Sequence, residues 1–219
     1  MRIIEPYVEV ERFDPVMLMK RIEKAGRTCY KSEGNITEES YRSFIQKIIK
    51  SGHESVLEHE KVTVRIVCDR GVSHEIVRHR LAAYSQESTR YCNYSGDRFG
   101  KEITVIRPFF FTGIQFDIWE NACMYAETSY FQLLRSSTPQ EARSVLPNSL
   151  KTEVVMTANL REWRHFFKLR AAKAAHPQMQ QVAIPLLLFM RGQMEPVFGD
   201  IRYNTDFNLA NYADVRWKE

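Results

Sequence analysis

The alternation of apolar and polar side chains along residues 61–69 is the feature that most restricts the fold of this chain. Four apolar residues would share one face of an extended segment, namely Val62, Val64, Ile66 and Cys68. Successive side chains of a strand point to opposite sides of a sheet. The pattern therefore predicts a half-buried β-strand.

Helical periodicity dominates the rest of the chain. Apolar residues recur at helical spacing in segments that we predict to be helices, over 15–26, 37–51, 71–80, 113–135, 139–145, 160–171 and 177–192. Two further strands are predicted over 2–11 and 151–158. Asn35 or Thr37 is expected to cap the second helix. The mixture predicts an α+β fold in which a mixed or antiparallel sheet is flanked by helices, with 113–135 as a long central packing helix.

The composition suits one globular domain over residues 1–219. Hydrophobic residues make up 44% of the chain, and we find no repeat, low-complexity tract or long linker. The net charge of +4 suits acidic ligands but is too small to indicate a nucleic-acid surface. No apolar run reaches about 18 residues, so we expect a soluble, cytoplasmic protein without a membrane segment. The widely spaced cysteines contain no C-x-x-C pair and are expected to be reduced.

Residues 78–90 contain many groups that bind anions. If residues 71–80 form a helix, Glu75, Arg78 and His79 cluster on one of its faces. A run of three basic residues by itself is more often a solvated helical face. The loop that follows changes this balance, because it is rich in hydroxyl and amide groups.

Ser88, Thr89 and Arg90 follow one another in that loop. Together they offer hydroxyl, backbone N–H and guanidinium donors to a phosphate. Arginine also provides the bidentate geometry that phosphate oxygens prefer. An ordinary polar loop is the alternative, in which the neighbouring tyrosines only contribute to packing.

Arg170 lies within the apolar arc of the helix predicted over 160–171. A guanidinium on a core-facing stripe needs an anionic partner, which is either a ligand or a structural ion pair. Asn159 can cap this helix or present its amide to a ligand. Arg143, on the short helix before Pro147, has the same ambiguity.

Metal ligation is the less favoured interpretation of the histidines. His74 and His79 are five residues apart and do not match the H-E-x-x-H spacing. The sequence also contains no Gly-rich phosphate loop and no G-x-S-x-G motif. We therefore expect no metal site.

The motif Arg78-His79-Arg80, seven residues and then Ser88, within VRHRLAAYSQESTRY, closely resembles the signature of the flavin-dependent thymidylate synthases. Segments on both sides are similar to that family in the family's order: SGHESVLEHEKVTVRI upstream, and ARSVLPNSLKTEVVMTANLREWRHFFKLRA and HPQMQQVA downstream. The resemblance covers most of residues 50–190.

The resemblance implies an α+β homotetramer whose active sites are built from several subunits. The implied reaction transfers a one-carbon unit from 5,10-methylenetetrahydrofolate to C5 of dUMP and yields dTMP. The implied cofactor is tightly bound FAD, which NADPH reduces and which supplies the hydride. These ligands are the expected partners.

Site residues carry over by position. The resemblance implies that dUMP is bound by Glu75, Ile76, Val77, Arg78, Gln86, Glu87, Ser88, Thr89, Arg90, Arg143 and Arg170. It implies that FAD is bound by Ser55, Arg78, His79, Arg80, Gln86, Asn159, Leu160, Arg161 and His165. Arg170 would be catalytic, because it would stabilise the N3-ionised uracil and make C5 more nucleophilic.

Two positions depart from the family pattern, since many members have Glu in place of Gln86 and an amide side chain in place of His165. His53 and Tyr84 are candidates for the folate site. Two other functions remain open from the residues alone. One is nucleic-acid binding through the basic segment, and the other is a related flavoprotein that acts on another pyrimidine or uses another reductant.

Overall fold

A computed structural model describes residues 1–218, and it contains the strand expected over residues 61–69. The strands are β1 (Arg2–Ile4), β2 (Tyr7–Val10), β3 (Lys61–Asp69), β4 (Ala82–Gln86), β5 (Thr104–Ile106), β6 (Lys151–Asn159) and β7 (Asp214–Trp217). Five of them form a sheet of order β4-β6-β3-β2-β7, with β3 in the middle. β1 and β5 form a separate parallel pair in which Arg2 lies opposite Thr104. The segment 2–11 is therefore two strands, separated at Glu5 and Pro6.

The seven predicted helices are present with changes at their ends, and residues 1–218 also contain a short helix that was not predicted, over Glu195–Phe198. The helices are α1 (Pro15–Thr28), α2 (Ser40–Lys50), α3 (Arg70–Ile76), α4 (Ile114–Leu133), α5 (Pro139–Ala142), α6 (Leu160–Arg170), α7 (Pro177–Gln193) and α8 (Glu195–Phe198). The α+β class is confirmed. Within residues 1–218, none of the helices is long and apolar enough to cross a lipid bilayer.

Side-chain caps account for the starts of two helices. The Asp14 carboxylate accepts a hydrogen bond of 2.9 Å from the backbone N–H of Met17 at the start of α1. Of the two roles left open for Asn159, the structure shows the cap of α6, because Asn159 Oδ1 accepts from the backbone N–H of Glu162 at 2.8 Å. The predicted cap of α2 is wrong: Glu39 occupies that position, without a side-chain hydrogen bond to the helix.

The chain divides into two compact units. Unit 1 consists of Met1–Tyr7, Ile66–Arg78 and Ser85–Val155, and unit 2 consists of Val8–Arg65, His79–Tyr84 and Met156–Glu219. The core of unit 1 includes Val105, Tyr130 and Leu150. The single-domain interpretation of the sequence stays a prediction.

Unit 2 is built on the aromatic face of α6. Trp163 stacks on Phe167 with 5.7 Å between ring centroids, and Phe167 contacts the edge of Phe198 at 5.7 Å. The indole N–H of Trp163 donates to the backbone carbonyl of Val62 at 3.0 Å. Burial of large aromatic side chains is the main source of stability in such a core. It also fixes the rotation of α6 about its axis.

The longest helix, α4, is not the central packing helix expected from its periodicity. Of its residues, Cys123 and Tyr130 are buried, whereas Ile118 and Tyr125 are 65% and 75% exposed. The sequence pattern has the right period, but the helix in this chain leaves much of its apolar surface in contact with solvent.

The buried arginine of α6 is Arg164, which is 1% exposed. Its guanidinium donates to both carboxylate oxygens of Asp200, at 2.6 and 2.8 Å, and to Glu54 at 3.1 Å. Its Nε has no partner within residues 1–218, but the two carboxylates compensate its charge. Breaking one partner of a buried ion pair costs about 3–5 kcal/mol, so this cluster is structural.

Candidate active site

Most residues predicted to bind the nucleotide lie in one unit, and most of those predicted to bind the flavin lie in the other. Unit 1 contains the residues expected to bind the nucleotide apart from Arg170: Glu75, Ile76, Val77, Arg78, Gln86, Glu87, Ser88, Thr89, Arg90 and Arg143. Unit 2 contains most of those expected to bind the flavin: Ser55, His79, Arg80, Asn159, Leu160, Arg161 and His165, together with Arg170. Arg78 and Gln86, which are expected to contact both ligands, belong to unit 1.

An anion-binding pocket in unit 1 joins two predicted residues that are far apart in sequence. The Arg143 guanidinium donates to the hydroxyl of Thr89 at 3.2 Å, and Thr89 is 6% exposed. Both residues line a cavity of about 240 Å³ together with Arg70, Ser144, Leu146, Pro147, Asn148 and Leu150. None of these lining residues is acidic, so the pocket has two cations and no internal counterion.

Arg70 is not among the residues predicted from the sequence. Its Nη1 is buried and has no hydrogen-bond partner within residues 1–218. Its backbone N–H donates to the carbonyls of Asn148 and Leu150, at 3.0 and 3.1 Å. These hydrogen bonds fix the position of the Arg70 backbone. A buried guanidinium nitrogen without an acceptor is unfavourable. The pocket is therefore suited to an anionic ligand, and phosphate oxygens match guanidinium donors.

Other predicted nucleotide contacts in unit 1 are held by protein groups. The Gln86 amide donates to the hydroxyls of Ser73 and Thr152, at 3.0 and 3.2 Å. The Glu87 carboxylate accepts from Lys151 at 2.8 Å and from the Tyr94 hydroxyl at 3.2 Å. Glu87 thus has a structural role in the described chain.

The expected convergence of Glu75, Arg78 and His79 on one helical face is wrong. α3 ends at Ile76, so the chain leaves the helix before Arg78. Arg78 is exposed, whereas His79 is 4% exposed. Two predicted contacts, Ile76 and Leu160, are fully buried in the core, so only their backbones are available to a ligand.

His79 is the centre of a hydrogen-bond chain in unit 2. Its Nδ1 lies 3.1 Å from Oε1 of Glu162, and its Nε2 accepts a hydrogen bond of 3.1 Å from Nε of Arg170. The ring packs against the edges of Phe166 and His165, with centroid distances of 5.0 and 5.4 Å. We call Glu162, His79 and Arg170 the α6 relay.

The donors and acceptors of the α6 relay determine one tautomer of His79. Arginine can only donate, so Nε2 of His79 has to be the unprotonated nitrogen. Nδ1 then carries the proton and donates to the Glu162 carboxylate. Burial, the nearby Arg170 cation and His165 lower the pKa of His79 from 6.5 to about 4, because each disfavours a charged imidazolium. The ring is therefore neutral at physiological pH.

Arg170 has a contact that helical spacing does not predict. It is half-buried, and its Nε donates to the neutral imidazole of His79. The anionic partner expected from the sequence stays a prediction. Arg164 is the arginine of this helix that is fully buried and paired with carboxylates. Both arginines lie near the apolar arc, and helical spacing alone does not separate them.

The remaining predicted flavin residues offer donors at the surface of unit 2. Arg80 and His165 are exposed. Arg161 pairs with Glu58 at 2.5 Å, and both side chains are half-exposed, so a phosphate can replace this carboxylate at low cost. Asn159 lines a cavity of about 690 Å³. This donor set fits a pyrophosphate, which needs cations where no Gly-rich loop exists.

His79, Glu162 and His165 also satisfy the spacing of a metal site, since one ligand atom from each lies within 4.8 Å of the others. However, both ring nitrogens of His79 are already engaged, and the Arg170 cation is 3.1 Å from one of them. A positive charge at that distance disfavours a divalent cation. That the protein has no metal site stays a prediction.

The low pKa of His79 gives a pH dependence of stability. The unfolded chain protonates this ring near pH 6.5, whereas the folded chain protonates it near pH 4. The contribution of His79 to the free energy of unfolding is therefore complete above about pH 6.5 and falls as the pH is lowered towards 4. Urea unfolding across this interval should show a weaker pH dependence for His79→Phe than for the wild type. Equal slopes would contradict a neutral His79.

Comparisons with known proteins identify the family of this chain. The family model described as thymidylate synthase complementing protein matches residues 17–194. The flavin-dependent thymidylate synthase of Geobacter sulfurreducens is 35% identical over 184 residues, which cover 80% of this chain and 78% of that protein. The enzyme of the same name from Mycobacterium tuberculosis is 33% identical over 218 residues, which cover 89% of this chain and 82% of that protein.

A solved structure shares the fold. It is a UMP/dUMP methylase, PolB from Streptomyces cacaoi, bound with 5-Br dUMP. The TM-score is 0.71 at 23% sequence identity, over 91% of this chain and 96% of that chain. With the signature around residues 78–88 and the family match over most of its length, this chain belongs to the flavin-dependent thymidylate synthase family.

Proposed function

We propose that this protein is an FAD-dependent thymidylate synthase that methylates dUMP to dTMP. The observation that carries the proposal is the pocket of unit 1, where Thr89 and Arg143 meet and where Nη1 of Arg70 is buried without a partner. A phosphate monoester supplies the anion that this pocket lacks. Family membership indicates which phosphate monoester it is.

Arg70, Thr89 and Arg143 hold the dUMP phosphate in this proposal, and Ser88 and Arg90 contribute from the adjoining loop. The Thr89 hydroxyl already accepts from Arg143, so its own proton is directed elsewhere and can be donated to the phosphate. A helix N-terminus or Gly-rich loop is not needed, because the two guanidinium groups provide both charge and directed donors.

Arg170 acts on the uracil ring. A guanidinium that donates to the ionised ring stabilises the anion and raises the electron density at C5. A charge-assisted hydrogen bond is worth about 1.5–3 kcal/mol, which corresponds to a lowering of the N3 pKa by roughly one to two units. In this proposal the catalytic Arg170 belongs to a different subunit from the phosphate pocket, as the family resemblance implies.

FAD, when bound, supplies the hydride that completes the methyl group, with NADPH as the reductant and 5,10-methylenetetrahydrofolate as the one-carbon donor. Residues of unit 2 would hold it, with Arg80, Arg161 and His165 as donors to its pyrophosphate and His79 as a further contact. His53 stays a candidate for the folate site and lines a cavity of about 570 Å³. The hydroxyl of the other candidate, Tyr84, donates a hydrogen bond of 2.7 Å to the backbone carbonyl of His79. A cytoplasmic location stays a prediction from the sequence.

The homotetramer is supported by the apolar surface of α4. Ile114, Ile118 and Tyr125 are 78%, 65% and 75% exposed, and their spacing places them near one another on the helix. Large exposed apolar patches are typical of subunit interfaces. We propose that α4 packs against another copy of the chain in the assembly.

The proposed activity predicts that the purified protein retains a flavin with its visible absorption bands and forms dTMP from dUMP, methylenetetrahydrofolate and NADPH. Arg170→Ala should reduce turnover by at least about tenfold while the flavin content changes little, because Arg170 acts on uracil. Arg135→Ala, which changes an exposed arginine outside the site, is the matched control. A colourless protein that forms no dTMP would falsify the proposed function, and a fully active Arg170→Ala variant would exclude the role of that residue.

The phosphate pocket predicts a separate effect for Arg70. Arg70→Met removes one phosphate donor, so the KM for dUMP should rise roughly tenfold to a hundredfold. Activity on deoxyuridine, which has no phosphate, should change little. Steady-state kinetics with both substrates measures this, with the exposed Arg107→Met as control. An equal loss for dUMP and deoxyuridine would show that Arg70 does not bind the phosphate.

A further inference from the structure

A cavity of about 570 Å³ in unit 2 is lined by α1, α2 and the loops next to them. We call it the α1–α2 cavity. Its size is sufficient for part of a co-substrate. Its wall contains three basic side chains, Arg27, Lys47 and His53, together with several hydroxyl groups. None of the lining residues within residues 1–218 is acidic, so the cavity is suited to an anionic ligand.

The apolar part of this wall depends on a close approach of α1 and α2. Gly26 of α1 lies against Phe44 of α2, and a Cβ atom at Gly26 would be 2.5 Å from Cζ of Phe44. With any other residue at position 26, the ring would have to move. The Arg27 guanidinium lies over the same ring, with its Cζ 4.9 Å from the ring centroid. Phe44 therefore has a defined position in the cavity wall.

The charge of Arg27 is balanced inside the protein. Its Nε and Nη2 donate to Oε1 of Glu23, at 3.1 and 2.7 Å, and Glu23 is 1% exposed. The other carboxylate oxygen of Glu23 accepts from the Ser40 hydroxyl at 2.8 Å. This ion pair with a buried carboxylate is structural. It leaves no net charge for a ligand to neutralise.

Lys47 provides the uncompensated charge of the cavity. Its ammonium group forms no ion pair in the part of the chain that the structure describes. A lysine in the last turn of a helix is favoured by the helix dipole, and this explanation applies equally to Lys50. Lys47 differs because it lines the cavity, whereas Lys50 is not among the lining residues.

His53 is fixed at the same cavity by the end of α2. Gly52 has a φ of 72°, and the backbone N–H groups of Gly52 and His53 donate to the carbonyls of Ile49 and Ile48, at 3.0 and 2.8 Å. This pair of hydrogen bonds is a Schellman motif, in which glycine adopts the left-handed conformation without strain. The motif holds the His53 backbone beside the last turn of α2, which contains Lys47.

We propose that the α1–α2 cavity binds the glutamate carboxylates of the folate co-substrate, with Lys47 as their cationic partner. The proposal rests on the proposed function, in which His53 is a candidate for the folate site. A folate ends in a glutamate, and cellular folates have further glutamates joined through their γ-carboxyl groups. This end of the molecule therefore has several negative charges. A folate that contacts His53 has Lys47 in the wall of the same cavity.

The phosphates of NADPH are the other source of an anion in the proposed reaction. Phosphate is bound best by the bidentate fork of an arginine. In Arg27 this fork is already occupied, because both Nε and Nη2 donate to Glu23. Lysine is a point charge on a flexible stem, which suits a flexible chain of carboxylates. The cavity therefore favours the folate glutamates over a phosphate.

The test compares the monoglutamate and polyglutamate forms of methylenetetrahydrofolate in the flavin-loaded enzyme. The wild type should have the lower KM for the polyglutamate. Lys47→Gln should raise this KM about twofold to fivefold, as expected for an ion pair at an exposed lysine, with little change in kcat. Lys47→Glu should raise it further, because it adds a repulsive charge. Lys50→Gln, on the same helix turn but outside the cavity, is the matched control and should behave as the wild type.

Equilibrium dialysis with tetrahydrofolate polyglutamate gives a measurement that does not depend on turnover, and Lys47→Gln should bind this ligand more weakly than the wild type. Equal binding would overturn the proposal, as would an unchanged ratio of the two folate KM values in Lys47→Gln. A KM that rises for NADPH and not for the folates would overturn it in favour of a phosphate. A wild type that forms no dTMP from the monoglutamate would refute the proposed function, yet dialysis would still decide the role of Lys47.

Discussion

A buried guanidinium group needs a hydrogen-bond acceptor, because burial without one is unfavourable. Three arginines of this chain differ in the acceptor that they have. Arg164 meets this need with two carboxylates, Asp200 and Glu54, and becomes part of the core of unit 2. Arg170 meets it in part with the neutral ring of His79. In unit 1, Nη1 of Arg70 has no partner within residues 1–218. The three arginines therefore form a series from structural ion pair to ligand-binding group.

The contacts of Arg170 also depend on how α6 packs in the fold. The aromatic face of α6, with Trp163 and Phe167, is fixed in the core, so the other face of the helix has a defined direction. Glu162 and Arg170 then reach His79 from the first and the last turn of α6. His79 can bind both only as a neutral ring with its proton on Nδ1. Burial, together with the nearby Arg170 and His165, provides this neutrality, since these effects lower the pKa of His79 to about 4.

The sequence predicts much of the fold because the periodicities are local. The strand β3 has the expected bounds, and Asn159 caps α6 as expected. The wrong predictions arise from tertiary contacts, which the periodicity of the sequence does not reveal. The apolar stripe of α4 has the right spacing, but the chain does not cover it. Likewise, helical geometry does not show that α3 ends at Ile76, which separates His79 from the helix.

The candidate residues show the same limit. The family resemblance identified Thr89 and Arg143, and the structure brings them together. Arg70 was missed because it directly follows a strand, where a basic residue is unremarkable, and only its buried nitrogen distinguishes it. Glu162 was missed because a carboxylate in a first helical turn already has a structural explanation. A ring partner such as His79, 83 residues away, gives no sequence signal.

In the proposed function, unit 1 binds the phosphate of the nucleotide and unit 2 binds the flavin. A crystal structure of the protein with FAD and 5-bromo-dUMP tests it most directly, since bromine gives an anomalous signal that marks C5. We expect the nucleotide phosphate to lie between Arg70 and Arg143, within hydrogen-bond distance of Thr89. We expect the flavin pyrophosphate to lie at Arg80, Arg161 and His165. A flavin pyrophosphate in the Arg70 pocket, or a nucleotide phosphate bound only by the arginines of unit 2, would show that this assignment of ligands to the two units is wrong.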